Sequence, residues 1–535
     1  MSGVHSAASV VTRHSRARDC GLLLLTTILA VAIQGYHPGL EDDAFYLAAI
    51  KRDLNPALFP HDADFFRLQF QATIFDKVIA ESVRLTHLPL SVAVLLWHLG
   101  AIFLILWACL GIARRCFAGV PAQWAAVVTA AVLLTIPVAG TAISLTDQYL
   151  HPRALATAAI LAAVVAVLDG RRVRAGILLA VACAMHVIMA AFGISFCIFL
   201  AWGWNGGRNA DHGALGSASG EEARSEGSKF GVLLPLAAIP LGWLFEPTTE
   251  AWREAASTRH FYFLGDWQWY EWLGVVAPLV VLYCFARVAR QTKAEVLERV
   301  SSRLLYYGIF QMAVALIIML PPTLQRLRPF EPMRYLHLIY LLMFVLAGGL
   351  VGQYVLDGRA YRWALLFVPL GLGMFYAQRQ MYPATSHLEL PGMRASNEWV
   401  AAFEWVRANT ATDALFALNP YYMRIPGEDY HGFRALAERS ALADVLKDGG
   451  MAARVPSLAP RWKREVDATR EWPNFKAEDF RHLKNTFGVD WVMLAKSRDR
   501  NQAEEVRRGA GDDPAAAAPL DCPYQNRSVM VCRVE

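Results

Sequence analysis

The sequence predicts an α-helical polytopic membrane protein of about eleven transmembrane helices, ending in a small α/β domain. Three observations carry that prediction. The 535-residue chain is 55% hydrophobic and 18% charged, with a mean hydropathy of +0.30; an ordinary soluble domain is about 25% charged. Stretches without Asp, Glu, Lys or Arg recur at 20–40, 85–113, 116–146, 154–168, 175–207, 230–245, 272–286, 304–325, 335–356 and 363–378. Beyond residue 378 no such stretch is long enough to span, and short runs of helical or strand type take over. This pattern excludes a disordered chain, a soluble multidomain enzyme and a secreted disulfide scaffold. The net charge of +5 (51 Lys+Arg, 46 Asp+Glu) makes no case for nucleic acid.

A helix rises about 1.5 Å per residue, so a core of about 30 Å takes about 20 residues. The shorter stretches reach that length by snorkelling their flanking arginines. Residues 175–207 would make one helix of about 50 Å, too long for a single span. His186, Gly193 and Ser195 interrupt it. It reads as two short antiparallel helices, 175–188 and 191–205, turning near 190–193; one steeply tilted helix is the simpler alternative. The basic residues favour two. With Arg13, Arg16 and Arg18 set inside, that count places 114–115, 171–174, 205–229, 287–303 and 357–362 on the same, basic side. The C-terminal region is then outside. The first span also has a basic start and an Ala30-Val31-Ala32 site suited to signal cleavage. Residue 36 onward is outward in either case. Segment 209–228, rich in Gly, Ser, Ala and Glu, reads as a flexible inward loop.

This divides the chain into a transmembrane module, 1–380, with a long first outward loop at 36–90, and an outward α/β domain, 381–535. In the loop, Phe65, Phe66, Leu68, Phe70, Ile74, Phe75, Val78 and Ile79 recur at helical spacing, as in helices lying along a membrane surface. Segment 246–272 is dense in aromatics, among them Trp252, Tyr262, Trp267 and Trp269. An interfacial belt accounts for these; stacking on a sugar ring, with Trp269 as the candidate, is the functional alternative. In the tail, Pro383, Pro391 and Gly392 mark a linker, and Ser396 reads as the N-cap of a helix bearing Trp399, Val400, Phe403 and Val406. Runs at 414–418, 491–494 and 528–534 read as strands. A hairpin near 526–527 would set Cys522 opposite Cys532, a disulfide suited to an oxidising compartment. The cysteines in or beside the spans read as small core hydrophobes. No CxxC, P-loop or dinucleotide fingerprint occurs, so no nucleotide cofactor is expected.

Candidate chemistry lies in three outward loops. Glu41-Asp42-Asp43 follows the first span; adjacent carboxylates repel, and a divalent cation such as Mg or Mn would relieve them. An ionised carboxylate beside such an ion would accept a proton from a hydroxyl. A solvated acidic helix start is the bland alternative. The second loop runs Asp147-Gln148-Tyr149-Leu150-His151-Pro152-Arg153. Asp147 would complete a metal site with Asp43, while His151 and Arg153 would face a phosphate. The third carries Arg326, Arg328 and Arg334, placed outside against the positive-inside rule. Arginine suits bidentate phosphate binding; interfacial anchoring is the alternative. His61, His186 and His260 are weaker candidates.

Together these features resemble the GT-C superfamily of polytopic membrane glycosyltransferases. Those enzymes carry an acidic motif of the Asp-Glu-Ala-x-Tyr type in the first outward loop, and many end in an extracytoplasmic domain. Asp42-Asp43-Ala44-Phe45-Tyr46 matches with Asp in place of Glu, and Asp147 matches the second-loop acid. Gly432-Phe433-Arg434 and Glu438-Arg439-Ser440 also look like phrases of uncharacterised bacterial relatives. The resemblance implies a polyprenyl-phosphate-linked sugar as donor and an envelope acceptor at the outer face of a bacterial inner membrane. It makes Asp42 the catalytic base of an inverting transfer. Arg326, Arg334 or a metal at Asp43 and Asp147 would steady the leaving phosphate. Two rivals stand beside it: a transporter or flippase using the same acids, and a non-catalytic scaffold whose tail binds cell-wall components. Transporters place ionisable groups at the midplane and often contain repeats. Here the acids sit at span ends and no repeat is visible, which favours the enzyme.

Overall fold

A computed structural model describes residues 3–66, 71–202, 247–425, 427–496 and 520–535, with side chains from Arg16 onward. Leu68 and Phe70, the loop at 209–228 and the span expected at 230–245 lie outside the described residues. The chain is mostly helical, at 69%. Among the described residues six helices are long and apolar enough to cross a membrane.

Helix α1 (Gly3–Gln34) supplies the first of the six from Arg16, and its Leu23, Ala30 and Val31 are buried in the bundle core. Helices α2 (Asp43–Leu54) and α3 (Phe75–Thr86) follow in the first loop. The apolar side of α3, with Phe75, Ile79 and Ala80, packs against Tyr46, Leu47 and Ile50 of α2, as helical spacing predicts. Helix α4 (Leu90–Cys116) is 27 residues long, about 40 Å.

The stretch 116–146, read as one span, is a thirteen-residue helix, α5 (Val120–Val132), followed by a tight antiparallel pair, β1 (Pro137–Val138) and β2 (Ile143–Ser144). Pro137 cannot extend a helix, and Gly140 turns the chain at φ +63. A side chain there would collide with the Trp267 ring, 2.1 Å from the position of a Cβ. Hydropathy is blind to such a turn, because every residue in it is uncharged.

Next come α6 (Pro152–Leu168), α7 (Arg172–Met185) and α8 (Val187–Ala201). The two-helix reading of 175–207 holds, but the break is at His186, in extended backbone, rather than at 190–193. Gly193 instead lets α8 approach α6, where a Cβ would sit 2.6 Å from Ile160. After α9 (Glu250–Ser257) the bundle is completed by α10 (Trp269–Gln291), α11 (Glu295–Met319), α12 (Leu336–Val351) and α13 (Ala360–Met381).

The tail begins with α14 (Glu398–Asn409), capped by Asn397, whose side chain accepts from the N–H groups of Trp399 and Val400. Ser396, the expected cap, accepts from the Ser386 N–H instead. The sheet has the order β4-β3-β5-β7-β6, with β3 (Leu415–Leu418), β4 (Ser440–Ala441), β5 (Trp491–Ala495), β6 (Asp521–Gln525) and β7 (Val529–Arg533). The three longer strands read from the sequence are present; two-residue β4 carries too little pattern to read. Strand periodicity divides the core: Phe416 and Leu418 meet Trp399 and Phe403 on one face, while Leu415 and Ala417 meet Trp472 and Phe480 on the other. Short α15 (Phe433–Ala437), α16 (Lys447–Arg454), α17 (Ala459–Thr469) and α18 (Ala477–Phe487) complete it. Cys522 and Cys532 are joined across the β6–β7 hairpin.

Tail and first loop share one interior. Phe45, Phe59, Phe65 and Phe66 of the loop, Trp252 and Tyr262 of the aromatic segment, and Met451, Trp462 and Val466 of the tail form a single buried cluster. Polar ties reinforce it: Arg434 pairs with Asp62 and Asp448, and Lys51 donates to Glu438 at 2.7 Å. Gly432 lies directly on Ala44 of α2. The Gly432-Phe433-Arg434 and Glu438-Arg439-Ser440 phrases are therefore the joint between the tail and the acidic loop.

Candidate functional site

The joint covers a cavity of about 840 Å³. Its walls come from the loop after α1, the β1–β2 turn, the starts of α6 and α10, the turn before α12, the end of α13, and α16 of the tail. Asp42 and Asp147, distant in sequence, both line it, together with Arg153 and Arg334.

Backbone geometry separates the three consecutive acids. Gly35, Gly39 and Glu41 have φ of +90, +82 and +50, a coil that delivers Asp42 to the start of α2. Asp43 turns inward: Gly39 N–H donates to its Oδ2 at 2.6 Å, and burial pushes its pKa up to about 7. Asp42 turns into the cavity, where Lys447 Nζ donates to its Oδ1 at 2.8 Å and to Glu41 Oε2 at 2.6 Å. Burial would raise the pKa of Asp42, but the Lys447 ammonium overcomes this and holds it well below the usual carboxylate range. The same attraction overcomes burial at Lys447 and raises its pKa.

On the facing wall, Arg153 Nη2 lies 2.6 Å from both Asp147 oxygens. Arg153 is 2% exposed, and its Nε and Nη1 have no hydrogen-bond partner among the described residues. Burial lifts the pKa of Asp147, with Arg153 opposing. Beside this pair Glu331 is shared by two cations, Arg334 and Arg454, the latter at 2.7 Å. Two cations on one carboxylate leave a surplus positive charge next to the unsatisfied Arg153 nitrogens. The arrangement suits an anion, for which a buried guanidinium is a strong, directional donor.

Other candidates fall elsewhere. His151 caps α6, its Nδ1 accepting from Arg153 N–H at 2.9 Å, and packs edge-on against Tyr46; it is not a lining residue. Arg326 donates to the Pro247 carbonyl outside the cavity. Trp269 is 74% exposed and off the lining, whereas the adjacent Tyr270 and Glu271 line it. The expected metal pair does not share a ligand position: Asp43 faces Gly39, and Asp147 is engaged by Arg153. Among the described residues no group of three His, Cys, Asp or Glu is placed to hold a metal ion. With Asp43 turned inward and Asp147 held by Arg153, this pair does not fit a shared divalent cation.

Sequence reasoning missed Lys447, Arg454 and Arg259, which line the same cavity. One signal was available. Gly449-Gly450 sits inside α16, where each glycine costs about 1 kcal/mol relative to alanine. Both mark close approaches: a Cβ on Gly450 would lie 2.4 Å from the Arg259 guanidinium, and one on Gly449 would lie 3.1 Å from Thr258.

Compared with known proteins, the chain matches no family model and no curated protein. Among the described residues its fold and site define a helical protein with six membrane-length apolar helices, a small C-terminal sheet domain and a charged cavity between them.

Proposed function

We propose that this protein is a membrane glycosyltransferase of the GT-C type, moving a sugar from a polyprenyl-phosphate donor to an acceptor hydroxyl at the outer face of the membrane. The observation that carries the reading is the convergence, in one cavity at the ends of the apolar helices, of the Asp42 carboxylate with Arg153, Arg334 and Arg454. The full reading has about eleven spans, the N-terminus inside and the tail outside, in a bacterial inner membrane. The Cys522–Cys532 bond supports an oxidising compartment for the tail.

In the reaction, an acceptor hydroxyl attacks the anomeric carbon from the face opposite the phosphate, and the bond from that carbon to the phosphate oxygen breaks. The hydroxyl proton passes to Asp42. A carboxylate this acidic takes the proton late, once bond formation has made the attacking oxygen acidic. Charge growing on the leaving phosphate meets the positive field of Arg153 and the Arg334–Arg454 pair, held in place beforehand. No step is routed through a metal here: Asp42 is held by Lys447 and Asp147 by Arg153.

The test is Asp42→Asn, assayed for sugar transfer from a labelled polyprenyl-phosphate monosaccharide in membranes. Removing a general base lowers the rate by about 10²- to 10⁴-fold. A full rate in the variant removes Asp42 from the role. Uptake of the substrate into proteoliposomes without a covalent product would favour transport instead.

A further inference from the structure

We propose that Lys447, supplied by the tail, is a positioning residue for Asp42: it holds one carboxylate oxygen so that the other faces the cavity. This rests on the glycosyltransferase reading and adds that the tail forms part of the reaction centre.

First, Lys447 Nζ is 2.8 Å from Asp42 Oδ1 and 2.6 Å from Glu41 Oε2, and its side chain is only 6% exposed. Among the described residues Asp42 Oδ2 has no hydrogen-bond partner, so Lys447 sets the orientation of the carboxylate. Second, Lys447 sits on a fixed support. Its own N–H donates to Asp444 Oδ1 at 2.5 Å, and Asp444 N–H donates to Asp448 Oδ2 at 2.9 Å. Asp448 is in turn paired with Arg434. At the other end of α16, Arg454 is tied to Glu331. The helix is thus anchored at both ends along the cavity wall.

Third, docking has ties besides Lys447. The shared apolar cluster, the Arg434–Asp62 pair and the Lys51–Glu438 pair already join tail to loop. Lys447 adds to these ties a contact aimed at the proposed base. Glu41 serves as the second point of the clamp, since an ammonium with two acceptors has less freedom to swing than one with a single acceptor.

The experiment uses the full-length protein in membranes and in detergent, with Lys447→Met, Lys447→Arg and Asp42→Asn. The transfer assay with labelled polyprenyl-phosphate sugar should show kcat reduced about 10²-fold in Lys447→Met, the scale of a 1 Å misplacement at a reacting centre. KM for the lipid donor should change by less than about threefold, and Lys447→Arg should recover part of kcat, because its charge is kept but its geometry differs. Thermal unfolding of Lys447→Met should fall, but by less than that of Arg434→Met, because Asp42 and Glu41 are 37% and 40% exposed and water can take over part of the lost pairing. A native kcat in Lys447→Met overturns the proposal.

An arm independent of activity uses a water-soluble carbodiimide. It activates a carboxylate, the Lys447 amine displaces it, and the carbodiimide leaves as the urea, having taken up one water. Mass spectrometry should find Lys447 joined to Glu41 or Asp42 in the native protein, and absence of that link overturns the proposal whatever the activity. The two readings fail separately: a fully active Asp42→Asn sinks the base, whereas an inactive Asp42→Asn beside a fully active Lys447→Met sinks only the clamp.

Discussion

Gly432→Ala should loosen the joint that places Asp42. The native backbone there, φ −80 and ψ 122, is ordinary for any residue, so no conformational strain is added. In the unfolded chain alanine is the less flexible residue, which by itself would stabilise the fold by about 0.4–1 kcal/mol. Steric overlap decides the opposite sign. The new Cβ would lie 2.3 Å from Ala44 Cβ and 2.7 Å from Ala44 Cα. Carbon atoms rest at about 3.5–4.0 Å, so tail and α2 must part by about 1 Å or more. Overpacking of this kind costs about 1–3 kcal/mol. A shift of about 1 Å at the start of α2 moves Asp42 and should lower transfer about 10²-fold. Thermal unfolding in detergent and hydrogen exchange across 40–54 would read the effect. Adding Ala44→Gly removes the nearer clash, but the main chain of residue 44 still stands too close to the new methyl group, so recovery should be partial. Native stability together with native exchange in Gly432→Ala would refute the close approach, and with it the account of how the tail holds the acidic loop.

Two further outcomes follow from the buried charges. Arg434→Met leaves Asp62 and Asp448 buried without their cation and should cost about 3–5 kcal/mol, measured as a lower unfolding midpoint, with recovery on adding Asp62→Asn and Asp448→Asn; an unshifted midpoint in Arg434→Met contradicts this. Asp43 is a carboxyl whose pKa is raised to about 7 by burial, against about 3.9 when unfolded. Between those values the folded state binds more protons than the unfolded state, so stability falls as pH rises from about 4 to about 7 and levels above that. Asp43→Asn, which keeps an acceptor for Gly39 N–H, should lose this fall; parallel stability–pH curves for the two proteins would count against a buried, proton-holding Asp43.

What could be read in advance follows the range of each signal. Hydropathy and the spacing of charges are local, and they located the long helices α1, α4 and α10 to α13, and the residue types of β3, β5 and β7. They misread 116–146, where the seat of Trp267 over Gly140 fixes a turn that no charge marks. They placed a helix start at Ser396 when its neighbour Asn397 has the better reach to two N–H groups. His151, read as a phosphate contact, is a helix cap beneath the site. Asp42 was legible because three acids at a span end are unusual; which of the three faces the cavity was not, since φ at Gly39 and Glu41 rotates Asp43 into the protein.

By itself the sequence determined a membrane-type helical chain with a small sheet domain at its end and an acidic corner beside the first apolar helix, because each of these is encoded by residues close together in the chain. Only the tertiary structure decided the partners of those acids. Lys447 meets Asp42 across 405 positions and Arg434 meets Asp62 across 372, and pairings of that separation leave no periodicity to read. They form because burial in a shared interior makes an unpaired charge too costly to leave alone.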